Sequence, residues 1–552
     1  MVRKGSLTAV LTLRPHAVVP RPLDAAAAVV GLRTPPTGWA GVQLTGITHD
    51  SREVRPGDLY AALPGASDHG ARFADAAANA GAAAILTDVE GEVQARRSGL
   101  PVLVVPRPRA VLGKLAAWVY GEPAGGLLLI GVTGTNGKTT TAHLAEAGLR
   151  AAGHQTGLVG TVETRIGDAA TASVRTTPES TDLHALLAVM RERGVTAAVM
   201  EVSSHALAFG RVDGVLYDVA AFTNLSQDHL DFHRDMEDYF ATKRSLFTPQ
   251  RARRGVVNID DDYGRRLAAE SEIPVVTISA TGRREADWMG TDAVLGAAES
   301  ALTAIGPGGV SMRIHVGMPG RYNLENALLA VVALATAGIP VEEAAAGVGA
   351  CPGVPGRMER IDTGQPFLAV VDYAHTPDAI ATALATLREV TKGRLVAVVG
   401  CGGDRDRAKR PLMGEVAARG ADVLVITDDN PRSEDPAAIR AAALVGATSV
   451  PGPERAELAE VSDRSAAIAY AVRLAGPRDT VVILGKGHEQ GQEIGGAVMP
   501  FDDRAVLRAA LTDTMSGDSP THPRPGSVAA GGMGPSSAQA SVHDASLRGE
   551  AP

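Results

Sequence analysis

Residues 127–140 read L-L-L-I-G-V-T-G-T-N-G-K-T-T, and this stretch decides how the middle of the chain folds. The apolar run that opens it predicts a short buried strand, and apolar residues at helical spacing predict a helix from Thr139 to Ala152. Between them, Gly134 and Gly137 let the backbone wrap closely around a phosphate group, and the N–H groups at the helix start attract an anion. The stretch therefore predicts a nucleotide phosphate site between a strand and a helix.

Residues 133–140, T-G-T-N-G-K-T-T, assign the contacts within this turn. Lys138 is expected to reach the terminal phosphates of ATP, and the Thr139 hydroxyl is expected to hold Mg²⁺. Val132 stands where the general phosphate-loop pattern has its first glycine, so a tight turn with a solvated lysine is the alternative. The sequence favours nucleotide binding by the whole turn, a set comprising Gly134, Thr135, Asn136, Gly137, Lys138, Thr139 and Thr140.

Further apolar runs extend this alternation along the chain. Runs at 197–200, 219–222, 255–259 and 274–278 follow in the middle, and runs at 367–371, 395–399, 423–427 and 481–484 lie towards the end. Helices are predicted from Pro377, Arg410 and Pro436. Continuous apolar strands that alternate with helices indicate an α/β protein with parallel sheets covered on both faces. Ligands of such sheets bind at the carboxyl ends of the strands.

Two clusters of proline and glycine, at 121–126 and 351–357, break the pattern and predict domain joints. The expected domains are therefore 22–124, 125–355 and 356–514, because 552 residues exceed what one hydrophobic core organises. Residues 515–552 are rich in Ser, Gly, Pro and Ala without an aromatic residue, which predicts a disordered tail.

Composition excludes several classes of protein. Hydrophobic residues make up 45% and charged residues 21% of the chain, as in ordinary globular proteins. A net charge of -9 argues against nucleic acid as a partner. Two cysteines, Cys351 and Cys401, cannot build a disulfide framework, and no apolar run is long enough to cross a bilayer. We therefore expect a cytoplasmic protein that does not insert into a membrane.

Acidic and basic residues follow the middle strands. Glu201 ends a strand in M-E-V-S-S-H, and a carboxylate there could complete a Mg²⁺ shell begun by Thr139. Asp228, His229 and Asp231 follow in T-N-L-S-Q-D-H-L-D, and Lys243 comes later. Taken alone, this histidine reads more readily as a hydrogen-bonded loop residue, and the lysine as a helix-surface residue.

In combination and order these motifs resemble the ATP-dependent Mur ligases of peptidoglycan synthesis, over nearly all of residues 45–500. The resemblance implies an N-terminal domain for the UDP substrate, a central ATP-binding domain and a C-terminal Rossmann-like, doubly wound domain for the amino acid. It also implies that Lys243 is carbamylated and that two Mg²⁺ ions are held by Thr139, Glu201, His229 and the modified lysine. A carbamate supplies the oxygen ligands that a hard cation requires, whereas an ammonium group cannot.

The same resemblance implies which residues contact the UDP-linked substrate and which contact ATP. Ser51, Thr176, Thr177, Ser203 and Arg211 match positions that contact the UDP-muramoyl-peptide, whereas Phe209 stands where some relatives carry a polar residue. For ATP, the resemblance implies adenine contacts from Asn323 and Asn326, although helix capping explains those two equally well. Arg357 and His375 are expected to reach the phosphates from the C-terminal domain.

Four motifs in the C-terminal segment distinguish best between the members of this family, and each follows a buried strand. They are D-Y-A-H-T-P-D, G-C-G-G-D-R-D-R, D-D-N-P-R and G-K-G-H-E. The resemblance implies that meso-diaminopimelate is added to UDP-MurNAc-L-Ala-D-Glu, because D-N-P-R accompanies that amino acid. Two arginines suit the distal carboxylate, which lysine lacks. The expected diaminopimelate set is Arg405, Asp429, Asn430, Pro431, Arg432, Gly485 and Glu489.

The expected reaction is amide ligation through an acyl phosphate, in which Lys138, Lys243 and His229 are the catalytic residues and no protein nucleophile takes part. The alternatives are an L-lysine-adding ligase of the same family, a folylpolyglutamate synthase-like ligase, and a switch that hydrolyses ATP only to change shape. The partners expected are the UDP-dipeptide, the amino acid and ATP, bound by a monomer.

Overall fold

The computed structural model describes residues 14–32, 39–65 and 68–516, and in these ranges the protein forms three α/β domains. The first is built on a four-stranded parallel sheet in the order β3-β4-β5-β6, preceded by a two-stranded antiparallel sheet of β1 and β2. Its strands are β1 (Arg21–Pro22), β2 (Gln43–Leu44), β3 (Gly46–Thr48), β4 (Asp58–Ala61), β5 (Ala84–Thr87) and β6 (Val102–Val104). Its helices are α1 (Leu23–Val29), α2 (Ala74–Asn79), α3 (Val89–Arg97) and α4 (Pro108–Val119).

The central domain carries an eleven-stranded sheet in the order β10-β9-β8-β11-β7-β12-β13-β14-β15-β16-β17. The seven strands from β8 to β15 in this order are parallel, and the strands beyond them at both edges are antiparallel. Its strands are β7 (Leu128–Thr133), β8 (Thr156–Val159), β9 (Glu163–Ile166), β10 (Ala169–Ala172), β11 (Ala197–Glu201), β12 (Tyr217–Phe222), β13 (Ala252–Asn258), β14 (Val275–Ser279), β15 (Trp288–Val294), β16 (Ser300–Ile305) and β17 (Ser311–Val316).

Helices cover both faces of the central sheet, which buries β7 in the middle of this domain. Its helices are α5 (Lys138–Ala151), α6 (Ser180–Glu192), α7 (Ser204–Ala208), α8 (Met236–Arg244), α9 (Asp262–Glu270), α10 (Arg321–Thr336) and α11 (Val341–Gly349). Apolar residues of α5, α10 and α11 pack on one face of the sheet, and those of α6 to α9 pack on the other. A strand covered on both faces has to be apolar throughout, as β7 is.

The third domain has a six-stranded sheet in the order β18-β19-β23-β20-β21-β22, parallel except for β18. Its strands are β18 (Glu359–Arg360), β19 (Leu368–Asp372), β20 (Leu395–Cys401), β21 (Val423–Asp428), β22 (Glu457–Glu460), β23 (Thr480–Leu484), β24 (Gly491–Ile494) and β25 (Ala497–Pro500), the last two forming a separate hairpin. Its helices are α12 (Pro377–Val390), α13 (Lys409–Gly420), α14 (Pro436–Ser449), α15 (Arg464–Leu474) and α16 (Asp503–Ser516).

An ion pair sealed inside the third domain joins its last two helices. The Arg464 guanidinium donates to both carboxylate oxygens of Asp503 at 2.7 Å, and it also donates to the carbonyl oxygen of Leu484 at 3.0 Å. Both charged side chains are fully buried. Since a buried charge is tolerated only when it is paired and hydrogen-bonded, α16 is an integral part of this domain.

The domains contact one another through the central helices. Ala185 and Ala188 of α6 join the apolar core of the first domain. Tyr322, in the first turn of α10, packs against the core of the third domain, and Thr386 of α12 lies against Gly320 at the start of α10. The start of α10 therefore lies where the central and third domains meet.

The α/β fold with parallel sheets is confirmed, and most predicted elements lie within a few residues of those observed. The strand predicted at 127–132 spans Leu128–Thr133, and helices begin at Pro377 and Pro436 as predicted. The helix predicted from Arg410 begins one residue earlier, at Lys409. Three antiparallel pieces, β9–β10, β15–β17 and β24–β25, carry no such signal and were not predicted.

The domain limits 22–124, 125–355 and 356–514 stay predictions. Helix α16 ends at Ser516, so residues 515 and 516, placed at the start of the predicted disordered tail, are helical. The rest of that tail, residues 517–552, lies outside the described residues. Across the ranges that the structure describes, every helix is too short or too polar to cross a membrane.

Candidate active site

A cleft of about 960 Å³ runs between the central and third domains. The turn at residues 133–140, which is predicted to bind phosphate and is called the phosphate-binding turn below, forms part of its wall. Residues that follow β8, β10, β11, β12 and β13, the first turns of α10, and residues between 357 and 383 of the third domain form the rest. Of the predicted site residues, those that line this cleft are Thr135, Asn136, Gly137, Lys138, Thr139, Thr140, Thr176, Thr177, Glu201, Ser203, Arg211, His229, Asn323, Asn326, Arg357 and His375.

The phosphate-binding turn has the predicted strand–turn–helix geometry. Gly134 and Gly137 have φ angles of 145° and 85°, and side chains there would collide with neighbours. A Cβ on Gly134 would lie 1.8 Å from Thr223 Oγ1, and one on Gly137 would lie 2.3 Å from Asn326 Oδ1. Helix α5 begins at Lys138, so its first N–H groups face the turn. The close packing explains why both positions require glycine.

Lys138 folds back onto this turn. Its Nζ donates to the carbonyl oxygens of Gly134 at 3.0 Å and Thr135 at 2.8 Å. Burial lowers the pKa of Lys138, although the nearby carboxylates of Glu201 and Asp228 act in the opposite direction. An ammonium group held only by carbonyl dipoles is poorly compensated, so the arrangement favours an incoming anion such as phosphate.

Glu201 connects the turn to the neighbouring strand. The Thr139 hydroxyl donates to Glu201 Oε2 at 3.0 Å, and the Thr161 N–H and hydroxyl donate to the same carboxylate at 2.7 and 3.1 Å. Glu201 is fully buried at the end of β11. The hydroxyl and the carboxylate predicted to hold Mg²⁺ therefore lie side by side, and both are hard oxygen donors of the kind that this ion prefers.

Lys243 is a buried amine, and no carboxylate among the described residues forms an ion pair with it. It is 1% exposed, its Nζ donates to the carbonyl oxygen of Gly134 at 2.7 Å, and the same atom lies 4.8 Å from the ring centre of Tyr239. Burial and then the charge of Lys138 hold the pKa of Lys243 well below its usual range. A lowered pKa increases the fraction of neutral amine, which is the form that reacts with CO₂.

His229 lines the cleft near this amine. Its φ of 54° is unusual for a side chain other than glycine, and its Nε2 lies 3.6 Å from Asp228 Oδ2. Burial lowers the pKa of His229, which favours the neutral imidazole. Within the described ranges, no group of three or more His, Cys, Asp or Glu side chains is close enough to hold a metal ion. A metal here would need hydroxyl, carbamate or phosphate oxygens in addition.

The wall beside β11 carries the residues predicted to contact the muramoyl-peptide. Thr177 Oγ1 donates to the Glu201 carbonyl oxygen at 2.9 Å and accepts from the Ser203 N–H at 3.2 Å. Thr176 Oγ1 lies 3.0 Å from Thr161 Oγ1. Ser51, predicted to hold the UDP end, lies in a short 3₁₀ helix of the first domain and does not line this cleft.

On this wall, three guanidinium groups share one carboxylate. Of the three arginines, only Arg211 was predicted from the sequence. Glu179, which is 6% exposed, pairs with Arg109 at 3.1 Å, Arg175 at 3.0 Å and Arg211 at 2.8 Å. The surplus positive charge suits an anionic substrate. Phe209 lies against two of these groups, with its ring centre 5.6 Å from Arg109 Cζ and 5.5 Å from Arg211 Cζ.

The two asparagines on α10 are buried, and neither caps the helix. The N-cap position is Gly320, and no side chain accepts a hydrogen bond there. The Asn323 side chain instead donates from Nδ2 to the Pro319 carbonyl oxygen at 2.8 Å. Asn326 Oδ1 accepts from Thr141 Oγ1 at 3.2 Å. From the third domain, Arg357 Cζ lies 4.4 Å from the ring centre of Tyr373, and its buried Nε has no hydrogen-bond partner among the described residues.

The residues predicted to bind the amino acid form a second cluster, which does not line the cleft described above. They follow β20, β21 and β23, so they meet at the carboxyl edge of the third sheet. Asn430 Nδ2 donates to Glu489 Oε2 at 2.9 Å, and the Arg432 guanidinium donates to the Gly403 carbonyl oxygen at 2.6 Å. Arg432 Nε also lies 3.2 Å from Glu493 Oε2, whereas Arg405 is exposed.

Lys486 organises this second cluster, and sequence reasoning overlooked it within G-K-G-H-E. It is fully buried, and its Nζ donates to Asn430 Oδ1 at 2.9 Å and to Glu489 Oε2 at 3.1 Å. Asp429 Oδ1 lies 3.9 Å from the same nitrogen. The signal for Lys486 in the sequence was a basic residue between two glycines directly after a buried strand.

Three models of one family match successive parts of the chain. The Mur ligase family catalytic domain matches residues 43–120, the Mur ligase middle domain matches 132–334, and the glutamate ligase domain of Mur ligases matches 356–487. These matches cover most of the described chain and most residues of both clusters. The chain belongs to the Mur ligase family.

Two relatives and a solved structure show which members of this family the chain resembles. UDP-N-acetylmuramoyl-L-alanyl-D-glutamate--2,6-diaminopimelate ligase of Streptomyces coelicolor is 58% identical over 501 residues, 91% of this chain and 98% of the relative. UDP-N-acetylmuramyl-tripeptide synthetase of Leifsonia xyli is 48% identical over 505 residues, with the same shares covered. A solved structure of a UDP-N-acetylmuramoyl-L-alanyl-D-glutamate--2,6-diaminopimelate ligase superposes with a TM-score of 0.66 at 31% identity, covering 90% of this chain and 100% of that one.

Proposed function

We propose that this protein is an ATP-dependent ligase that joins meso-2,6-diaminopimelate to the D-Glu γ-carboxylate of UDP-MurNAc-L-Ala-D-Glu. The observation that carries the proposal is the pairing of a phosphate-binding turn with a C-terminal cluster that contains D-N-P-R, on a chain 58% identical to a relative named for this reaction. The product is the tripeptide precursor of peptidoglycan, and the proposed location is the cytoplasm.

Activation of the carboxylate comes first. A carboxylate is a poor electrophile, so the γ-phosphoryl group of ATP passes to the D-Glu γ-carboxylate oxygen, which yields an acyl phosphate and ADP. Lys138 lies at the turn and neutralises negative charge that builds up on the phosphoryl oxygens. Arg211, Thr176, Thr177 and Ser203 hold the substrate against the same turn, whereas Ser51 contacts its UDP end.

Amide formation follows. The neutral amine of diaminopimelate attacks the acyl carbon, the tetrahedral intermediate collapses, and inorganic phosphate leaves while the amine loses its proton. No protein nucleophile is required. Asn323 and Asn326 contact the adenine in this proposal, and Arg357 and His375 reach the phosphates from the third domain once it closes.

The donor set fits magnesium once Lys243 is modified. Thr139, Glu201, His229 and carbamylated Lys243 would hold two Mg²⁺ ions, which would offset the negative charge of the triphosphate. The fit rests on the buried amine of Lys243, because as a carbamate it supplies oxygens that the free amine lacks.

Recognition of the amino acid rests on the second cluster. Arg405 and Arg432 pair with the distal carboxylate of diaminopimelate, and Asp429, Glu489 and the Gly485 backbone receive its ammonium group. Asn430 and Pro431 shape the loop. L-Lysine lacks that carboxylate, and each lost charged hydrogen bond costs about 1.5–3 kcal/mol. The monomeric state and the domain limits at residues 124 and 355 belong to the same proposal.

The deciding experiment measures phosphate release and product mass with purified protein, ATP and the UDP-dipeptide, with meso-diaminopimelate or L-lysine. We expect release to require both the UDP-dipeptide and an amino acid, and to be at least about tenfold faster with diaminopimelate. Equal rates with lysine would reassign the amino acid. Release independent of any amino acid would support a switch, and release only with glutamate and a folate would support a folylpolyglutamate synthase-like ligase.

A further inference from the structure

The two ends of the cleft carry opposite charge. Beside β11, three arginines share the single carboxylate of Glu179. Across the phosphate-binding turn, beside β12 and α10, the wall is acidic: Asp261 and Glu325 line the cleft, and Asp260 lies close to Glu325. Phosphates and the anionic UDP-dipeptide are repelled from the acidic end. A nucleotide bound at the turn therefore has to direct an uncharged, hydrogen-donating part towards this end.

Glu325 is the member of this acidic wall that has no partner. Asp260 accepts from the Ala280 N–H at 2.9 Å and from two hydroxyls, and Asp261 accepts from the N–H groups of Leu225 at 3.0 Å and Gly264 at 2.6 Å. Within the described chain, the Glu325 carboxyl accepts no hydrogen bond and forms no ion pair. Burial, and then the charge of Asp260, raise the pKa of Glu325 to about 7 against a smaller opposing effect of Arg321.

Adenine has the matching groups. Its 6-amino group donates, and the ring nitrogens beside it accept. A carboxyl group can accept from the amino group, and in its protonated form it can also donate to a neighbouring ring nitrogen. We propose that Glu325 recognises the 6-amino group of the ATP base, and that this contact selects adenine. The inference rests on the proposed function and adds to it the residue that reads the nucleotide base.

The test compares ATP with purine riboside triphosphate, which lacks only the 6-amino group, by calorimetric binding to wild type, Glu325→Leu and Glu325→Gln. In wild type we expect ATP to bind about tenfold more tightly, which equals about 1.4 kcal/mol. In Glu325→Leu the two nucleotides should bind equally. In Glu325→Gln part of the difference should return, because an amide can still accept from the amino group.

Glu342→Leu is the matched control, because Glu342 is an exposed glutamate on the neighbouring helix α11. It should keep the wild-type difference. Glu325→Leu replaces an unpartnered carboxyl, so its melting temperature should not fall. A tenfold difference that persists in Glu325→Leu, or that is missing in wild type, overturns the inference. Binding is measured without the other substrates, so this outcome is separate from whether diaminopimelate is ligated.

Discussion

Lys243 Nζ donates a 2.7 Å hydrogen bond to the carbonyl oxygen of Gly134, the first glycine of the phosphate-binding turn. The same carbonyl accepts a 3.0 Å bond from Lys138, so two amines from different helices share one acceptor. Two ammonium groups this close repel each other, and burial adds to the cost. Loss of one proton relieves this repulsion, and burial together with the charge of Lys138 lowers the pKa of Lys243 well below its usual range.

We therefore expect a carbamate on Lys243. Native mass spectrometry in bicarbonate buffer should show an adduct with the mass of one CO₂, and acidification should remove it. Lys243→Ala should lack the adduct, whereas Lys392→Ala, which changes an exposed lysine, should keep it. An unmodified Lys243 at high CO₂ would contradict this prediction.

Lys138→Ala should reduce the ligation rate by about 10²–10³-fold, because the variant loses the cation that faces the transferred phosphoryl group. The KM for diaminopimelate should change little, since that amino acid is expected in the other cluster. Phosphate release under saturating substrates measures the effect. Lys392→Ala serves again as control, and an undiminished rate in Lys138→Ala would refute the phosphate-binding role.

Arg432→Lys should raise the KM for diaminopimelate about tenfold or more. Lysine keeps the charge but cannot pair with a carboxylate through two parallel N–H groups. Steady-state kinetics with both amino acids should show the loss for diaminopimelate only, and Arg473→Ala, at an exposed arginine of α15, should behave as wild type. A similar loss with L-lysine would point to a folding role for Arg432.

Phe209→Ala should raise the KM for the UDP-dipeptide about two- to fivefold, with a smaller effect on the turnover rate. The ring orients Arg109 and Arg211, and an exposed cation–π contact contributes about 0.5–1 kcal/mol. Phe73→Ala is the matched control, because Arg72 lies 5.3 Å from the Phe73 ring centre away from the cleft. Equal effects from both variants would argue against a substrate role for Phe209.

His184 should make stability depend on pH. It is fully buried on α6, its Nε2 lies 2.9 Å from the Asp213 carbonyl oxygen, and burial lowers its pKa from 6.5 to about 4. Between these values the unfolded chain binds a proton that the folded protein does not, so stability falls as pH drops from 6.5 towards 4. The full loss corresponds to roughly 3 kcal/mol.

Urea unfolding at pH 7 and pH 4.5 measures this loss. In His184→Gln the drop between the two pH values should be smaller than in wild type by about 2–3 kcal/mol. In His16→Gln, which changes an exposed histidine, the drop should equal that of wild type. An unchanged drop in His184→Gln would show that other groups carry the acid sensitivity.

Local pattern predicted the long buried strands of the central and third sheets. It predicted neither the antiparallel edges nor the parallel strands β3–β6, β8, β15 and β22. Strands such as β7 and β20 are buried on both faces, so their apolar runs stand out from the polar turns around them. In contrast, the hairpin β24–β25 is largely exposed and contains few apolar positions in a regular pattern. Its place depends on pairing of the Arg432 backbone with Glu493 and Gly495, which no local signal reveals.

The candidate site divides in the same way. Glycines and a lysine at fixed spacing predicted the strand–turn–helix geometry at residues 133–140, because the tight backbone there requires glycine. The group around Glu179 was missed, since Arg109 reaches it from another domain and 70 residues away in sequence. Glu325 was missed because its raised pKa comes from burial and then from the charge of Asp260, and both depend on the fold. The division of the predicted site residues into two clusters likewise depends on the relative placement of the central and third sheets.

The buried pair of Arg464 and Asp503 limits where the chain can be shortened. A protein that stops after residue 516 keeps the carboxylate inside the third domain, whereas one that stops before residue 503 leaves a guanidinium group in the interior with no countercharge. Expression trials that shorten the third domain should therefore retain α16, and a library of truncations should show an abrupt loss of soluble material at that boundary.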